Sequence, residues 1–259
     1  MKAMIFAAGL GTRLKPLTDR IPKALLPLAG KTLLQWQIER LRDAGITDIV
    51  VNIHHLGQQI VDYLVEHDGF GCHIQVSDER EALLETGGGL LKAAPLLGTD
   101  QPCMADTEPV LVCNVDILSN IDLRAFMAAH NADDLATVVV SDRQTQRYLL
   151  FDGEGVLRGW TNRQTGELKP ATLTNAEAAE LVPMAFSGMQ IVSPKFFEVL
   201  RQAREAFGKE KFSMIDVYLK IVADNIGRVR AYVPRYYRMM DVGKIDQLEQ
   251  AEQFAASLK

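Results

Sequence analysis

Apolar runs without polar alternation recur along the first half of the chain, separated by amphipathic stretches. Ala3–Ala7 is apolar at successive positions, the pattern of a strand buried on both faces. Asp48–Ile53, Cys72–Ser77, Val110–Cys113 and Ala136–Ser141 are the next β-rich runs. Between the first two, Thr32 is placed to cap a helix reaching about Ala44. Leu33, Leu34, Ile38 and Leu41 share its inner face and Gly45 ends it. Gln58–Glu66, Leu90–Leu97 and Ile121–Asn131 also carry helical spacing. Strand and helix thus alternate up to Ser141, which predicts an α/β fold: a mostly parallel central sheet with helices on both faces.

The rhythm changes after Asp142. Tyr148–Phe151 and Val156–Thr161 flank the turn Asp152-Gly-Glu-Gly155 and predict an antiparallel hairpin. Thr165–Glu180 is polar and reads as a surface loop, and Met184–Val192 is again a strand. Helices are expected at Pro194–Ala206 and Ser213–Asp224, short strands at Arg228–Pro234 and Tyr237–Met240, and a closing amphipathic helix at Lys244–Ser257. Residues 1–259 are therefore expected to form one domain, with 1–142 as one half and 143–259 as a smaller α+β lobe packed against it.

Composition narrows the function. A chain of 259 residues with 47% hydrophobic and 24% charged residues suits a globular protein with a sizeable core. A net charge of −5 and the lack of a basic run disfavour a nucleic-acid partner. Cys72, Cys103 and Cys113 form no Cys-x-x-Cys pair, so buried thiols in a reducing compartment are expected rather than zinc or disulfides. The apolar stretch Ala3–Leu10 is short, contains Gly9 and is followed at once by Arg13 and Lys15, a poor signal peptide. No run reaches the roughly 20 apolar residues of a membrane span. A cytoplasmic protein with no membrane partner is expected.

The candidate chemistry begins where the first strand ends. Gly9-Leu-Gly-Thr-Arg13 breaks the strand with two glycines, which frees main-chain N–H groups to face an anion, and Arg13 and Lys23 add two cations. Leu14 stands where a dinucleotide fingerprint needs its third glycine, and no Gly-Lys-Ser/Thr follows, so neither that motif nor a P-loop is present. Asp116 lies just past a strand end, where ligands bind in open α/β sheets, and Asp241 follows an apolar pair near the C-terminus. Each carboxylate has two readings, a cap for the next element or half of a Mg2+ site completed by substrate phosphates. Three successive glycines in Glu85-Thr-Gly-Gly-Gly89, at a helix start, imply that something approaches the backbone closely, a nucleotide being one occupant.

The pattern Ala7-Ala8-Gly9-x-Gly11-Thr12-Arg13-x-x-Pro16-x-Thr18, continued to Pro22-Lys23, resembles the signature of sugar-1-phosphate nucleotidyltransferases. Asp116, Phe186-Ser187-Gly188 and Asp241-Val242-Gly243 extend the likeness over nearly the whole chain. Leu84–Gly89 is most similar to compact members that make UDP-N-acetylmuramate from N-acetylmuramate 1-phosphate; other short members are mannose-1-phosphate guanylyltransferases. The resemblance implies a Rossmann-like nucleotidyltransferase fold and transfer of a nucleotidyl group from an NTP to a sugar 1-phosphate, with Mg2+ as cofactor. It implies catalytic roles for Arg13, Lys23 and Asp116, and nucleotide contacts from Ala8, Gly9, Gly11, Thr12, Arg13, Glu85, Thr86 and Gly87. Sugar-phosphate contacts fall on Lys23, Asn162, Ser187 and Gly188, and metal ligation on Asp116 and Asp241. Many members have Gly-Asp at Val115-Asp116, and longer members carry Glu-Lys-Pro where Trp160-Thr161-Asn162 stands. Within this reading, UTP with N-acetylmuramate 1-phosphate is the first expectation. Alternatives are GTP with mannose or heptose 1-phosphate, a phosphocholine cytidylyltransferase, and a non-catalytic nucleotide-sensing module.

Overall fold

A computed structural model describes residues 1–99 and 108–258. Its first half alternates strand and helix as the apolar pattern requires: β1 (Lys2–Phe6), a small ribbon of β2 (Pro27–Leu28) and β3 (Lys31–Thr32), α1 (Leu33–Asp43), β4 (Asp48–Ile53), α2 (Gly57–Glu66), β5 (His73–Asp78), α3 (Glu85–Lys92), α4 (Ala94–Leu97) and β6 (Val110–Asn114). Then come β7 (Ile117–Ser119), α5 (Leu123–Ala129), β8 (Ala136–Ser141), β9 (Arg147–Phe151), β10 (Leu157–Asn162), β11 (Glu167–Lys169), α6 (Asn175–Ala179) and β12 (Val182–Val192). The chain closes with α7 (Pro194–Phe207), α8 (Met214–Asp224), β13 (Val229–Tyr232), β14 (Met239–Asp241) and α9 (Leu248–Ala256).

The central sheet runs β11-β10-β9-β12-β6-β1-β4-β5, with β8 also on β12 and β13 on β8. β5, β4, β1 and β6 are mutually parallel, so their carboxyl ends share one edge. β12 joins β6 antiparallel and pairs with β8 and β9 as well, so one strand ties the two halves of the chain into a single sheet. Successive residues of β1 face opposite cores: Ala3 and Ile5 pack in the layer with α1, α2 and α9, and Met4 packs in the layer with α7 and α8. That is why β1 shows no polar alternation. Thr32 caps α1 by accepting from the Gln35 N–H at 3.0 Å.

Several expectations change. The stretch read as a loop over Thr165–Glu180 contains β11 and α6, the latter closed by a Thr174–Glu177 capping box. Helix α5 is shorter than Ile121–Asn131 because Asp122 accepts from the Ala125 N–H and starts it there. β7 was hidden by its length; it pairs antiparallel with β14, Ile117 opposite Asp241. The glycines Gly87–Gly89 lie inside α3 rather than before it. Cys72 is half-buried, Cys113 is fully buried with its thiol pushed up to about 11, and Cys103 lies outside the described residues.

Candidate active site

The carboxyl edge of β1, β4 and β6 opens into a cleft of about 410 Å3. Ala8, Gly9, Gly11, Thr12, Arg13 and Lys23 line it from one side, Glu85 and Thr86 from another, and Asp116 with Gly243 close it. The loop after β1 is long but locally ordered into three short 3-10 turns, Thr12–Leu14, Leu17–Asp19 and Lys23–Leu25. Leu14 is fully buried beneath it, and the Thr18 hydroxyl donates to the Gly11 carbonyl at 2.9 Å. Gly11 has φ +63°, and a Cβ there would come within 2.7 Å of Thr18 Cγ2, so the turn needs glycine twice over. Gly9 is different. A Cβ there meets nothing within 4 Å, so its surface faces open cleft.

The start of this loop is held from below by two residues the sequence reading did not single out. Asn52, on β4, accepts from the Ala7 N–H at 2.7 Å and the Ala8 N–H at 3.3 Å. Its amide donates to Glu79 Oε1 at 2.7 Å, and Glu79 Oε2 accepts from the Leu84 N–H at 3.1 Å. Glu79 is wholly buried. The pair thus links the chain before Gly9 to the segment that enters α3. A polar side chain in the apolar run Ile49-Val-Val-Asn-Ile53 was the readable signal, because a buried amide has to be satisfied.

Lys23 and Asp116, 93 residues apart in sequence, form an ion pair in the cleft through Nζ and Oδ2. Lys23 is buried at 8% exposure, so its ammonium is aimed rather than solvated. Asp116 is brought beside Asp241 by the β7–β14 ribbon and by the Val242 N–H, which donates to the Asp116 carbonyl at 2.9 Å. Asp241 stands at the cleft rim rather than in its lining. A Cβ on Gly243 would lie 2.8 Å from both Asp241 Oδ1 and Arg13 Nη2, so that glycine lets guanidinium and carboxylate approach. The Asp241 carboxyl is held above the usual aspartate range, first by desolvation and then by the Asp116 charge, while Lys23, Arg13 and Arg143 pull it down. The residue as a whole remains exposed; the crowded part is its carboxyl end. Two carboxylates, Asp116 in the lining of an open cleft and Asp241 at its rim, fit a hard divalent cation that takes its remaining ligands from substrate and water.

The remaining expected site residues divide between the cleft and other places. Gly87 does not line the cleft: its N–H donates to the Phe212 carbonyl at 2.9 Å and a Cβ would strike the Phe212 ring at 2.5 Å. Cβ atoms on Gly88 and Gly89 would lie 2.2 Å from the Glu210 carbonyl oxygen and 2.7 Å from Glu79 Oε1. Close approach was the right reason for these glycines, and the chain itself is what approaches. Thr86 does line the cleft, and its hydroxyl accepts from the Met214 N–H at 2.9 Å, fastening α3 to α8. Asn162 accepts from the Gln164 N–H at 3.0 Å and so caps its own turn. Ser187 is buried; Gly188, at φ +68°, forms a bulge in β12 against Asn114, which is itself in the lining.

The family model described as Nucleotidyl transferase matches residues 2–157. An N-acetylmuramate alpha-1-phosphate uridylyltransferase of Neisseria meningitidis serogroup B is 48% identical over 125 residues, 48% of this chain and 51% of that protein, so the match spans about half the length of each. A second protein of that name, from Caulobacter vibrioides, is 30% identical over 90% of this chain and 88% of its own. In fold, the chain superposes on a UDP-glucose pyrophosphorylase solved with UDP-glucose at a TM-score of 0.74, with 19% identity and 100% of both chains covered. Motif, sheet and relatives agree, and the chain belongs to the nucleotidyl transferase family, among its sugar-1-phosphate nucleotidyltransferases.

Proposed function

We propose that this cleft transfers a uridylyl group from UTP to N-acetylmuramate 1-phosphate, giving the UDP-sugar and pyrophosphate. The observation that carries the transfer chemistry is the convergence of Lys23, Asp116 and Asp241 beneath the Gly9–Arg13 loop at the sheet's carboxyl edge. The choice of base and sugar is supported by the Caulobacter relative, whose likeness runs almost end to end.

In this reading the main chain of Gly9 to Thr12 and the Arg13 fork receive the triphosphate. Glu85 and Thr86 border the base. A phosphate oxygen of the sugar 1-phosphate bonds to the α-phosphorus as the bond to the bridging oxygen of pyrophosphate breaks. That exchange requires alignment and charge neutralisation rather than a protein nucleophile. Lys23, already desolvated, supplies a positive charge to the reacting phosphates, and its pairing with Asp116 keeps it poised until substrate competes for it. Asp116 and Asp241 would hold Mg2+, which would supply charge screening for the phosphates of the two substrates. The protein works in the cytoplasm in this account; among the described residues no helix is long and apolar enough to cross a membrane.

The test is pyrophosphate release across a panel of UTP, GTP, CTP, ATP and dTTP against N-acetylmuramate, glucose, mannose and heptose 1-phosphates and phosphocholine. The expected optimum is UTP with N-acetylmuramate 1-phosphate. A different optimum overturns the substrate assignment, and binding of nucleotide without turnover of any pair overturns the enzymatic reading.

A further inference from the structure

We propose that Arg143 is the binding cation that receives the phosphate of the second substrate. The proposal rests on the nucleotidyl-transfer reading above. Strand directions place the residue. β8 is antiparallel to β12, with Ser141 opposite Ala185, and β12 is antiparallel to β6, with Met189 opposite Cys113. β8 therefore points the same way as β6 and ends at the same edge. Asp116 lies two residues beyond the end of β6 and Arg143 two residues beyond the end of β8.

The order of strands at that edge is β1, β6, β12, β8, so Asp116 lies between the Arg13 loop on one side and Arg143 on the other. In-line displacement needs this division. With the leaving pyrophosphate on the Gly9–Arg13 loop and the α-phosphate at Asp116, the attacking phosphate arrives from the β8 side. The bulge at Gly188 draws β12 toward Asn114, where a Cβ would be only 2.9 Å from the Asn114 amide nitrogen. Arg143 is tethered to the same part of β12, its Nη2 donating to the Phe186 carbonyl at 3.0 Å.

One N–H of five is used there, and among the described residues no carboxylate pairs with this exposed guanidinium. Arg147 starts β9 opposite Asn162 and carries no ion pair among the described residues, whereas other cations of the hairpin are engaged otherwise. Lys169 pairs with Glu167 at 3.2 Å and sits 5.3 Å from the Trp160 ring centre, and Arg163 lies 4.4 Å over Tyr148. A free planar fork suits a phosphate monoester better than either of these.

Steady-state pyrophosphate release by the wild type, Arg143→Ala and Arg143→Lys separates the roles. Loss of one charge-assisted phosphate contact should raise the KM for the sugar 1-phosphate roughly 10- to 100-fold in Arg143→Ala. The KM for the NTP, the KM for pyrophosphate in the reverse direction and the melting temperature should stay near wild type. Arg143→Lys should recover part of the loss, and added guanidinium ion should partly rescue the alanine variant. An unchanged sugar-phosphate KM, or equal rises for both substrates, overturns the assignment while leaving the transferase reading intact. A wild type that turns over no pair in the panel is the distinct failure of that reading, and the assignment falls with it.

Discussion

Replacing Asn52 by alanine tests whether the buried Asn52–Glu79 pair is what sets the start of the nucleotide loop. The substitution removes the acceptor 2.7 Å from the Ala7 N–H and the donor 2.7 Å from Glu79 Oε1, and also the weaker contact to the Ala8 N–H. Asn52 is 2% exposed and Glu79 is wholly buried, so water does not readily replace either partner. Two buried groups left unpaired cost about 1–3 kcal/mol each, so about 2–6 kcal/mol together. In a chain of this size that lowers Tm by roughly 5–20 °C. Thermal and urea unfolding followed by circular dichroism measure it, and calorimetric titration should show weaker NTP binding in parallel. Asn52→Asp sharpens the test, because it keeps the acceptor and sets a second carboxyl against Glu79. Two carboxyls at that distance share a proton, so their folded-state affinity for it is raised above the unfolded value. Asn52→Asp should therefore gain stability as pH falls toward 5 and lose it as pH rises. An Asn52→Ala variant melting within about 2 °C of wild type with unaltered NTP affinity would refute the reasoning.

Two further contrasts follow from the same geometry. Gly88→Ala drives a Cβ to 2.2 Å from the Glu210 carbonyl oxygen, main chain that cannot step aside, and should cost about 1–3 kcal/mol or more in urea unfolding. Gly9→Ala, with nothing within 4 Å, should leave stability within about 0.5 kcal/mol while weakening NTP binding measured by calorimetry. Burial lowers the His130 pKa from 6.5 against the opposing pull of Asp134. The unfolded chain then takes up the proton first, so the stability this residue supplies is full above about pH 6.5 and is lost as pH falls toward its folded value. Urea unfolding at pH 7.5 and 5.5 should show a smaller acid loss in His130→Gln than in wild type.

What the sequence made legible was set by length and local chemistry. β1, β4 and β6 announce themselves because both faces are buried, and α1 because Thr32 and Gly45 bracket an apolar stripe. The glycine loop and its two cations are contiguous enough to be read as an anion site. Of the β7–β14 ribbon only the second strand was expected, at Tyr237–Met240; β7 and the pairing could not be read, since a three-residue strand carries no periodicity, yet the ribbon sets Ile117 against Asp241 and so assembles the two carboxylates. Gly87–Gly89 show the limit of reading one residue type: the need for a bare backbone was visible, while the identity of Phe212, Glu210 and Glu79 as what presses on it was not. Arg143 carried no local signal because its position depends on β8 and β6 pointing the same way across β12.

The central claim is that Asp116 and Asp241, brought together by that ribbon, form the metal-dependent centre of the transfer. The direct measurement is Mg2+-dependent pyrophosphate release from UTP and N-acetylmuramate 1-phosphate by the wild type, Asp116→Ala and Asp241→Ala, with UTP binding measured alongside. The account predicts turnover that requires both substrates and Mg2+ and falls roughly 100-fold or more in each variant, with UTP still bound. Full activity in Asp116→Ala, or pyrophosphate release that needs no sugar phosphate, would contradict it.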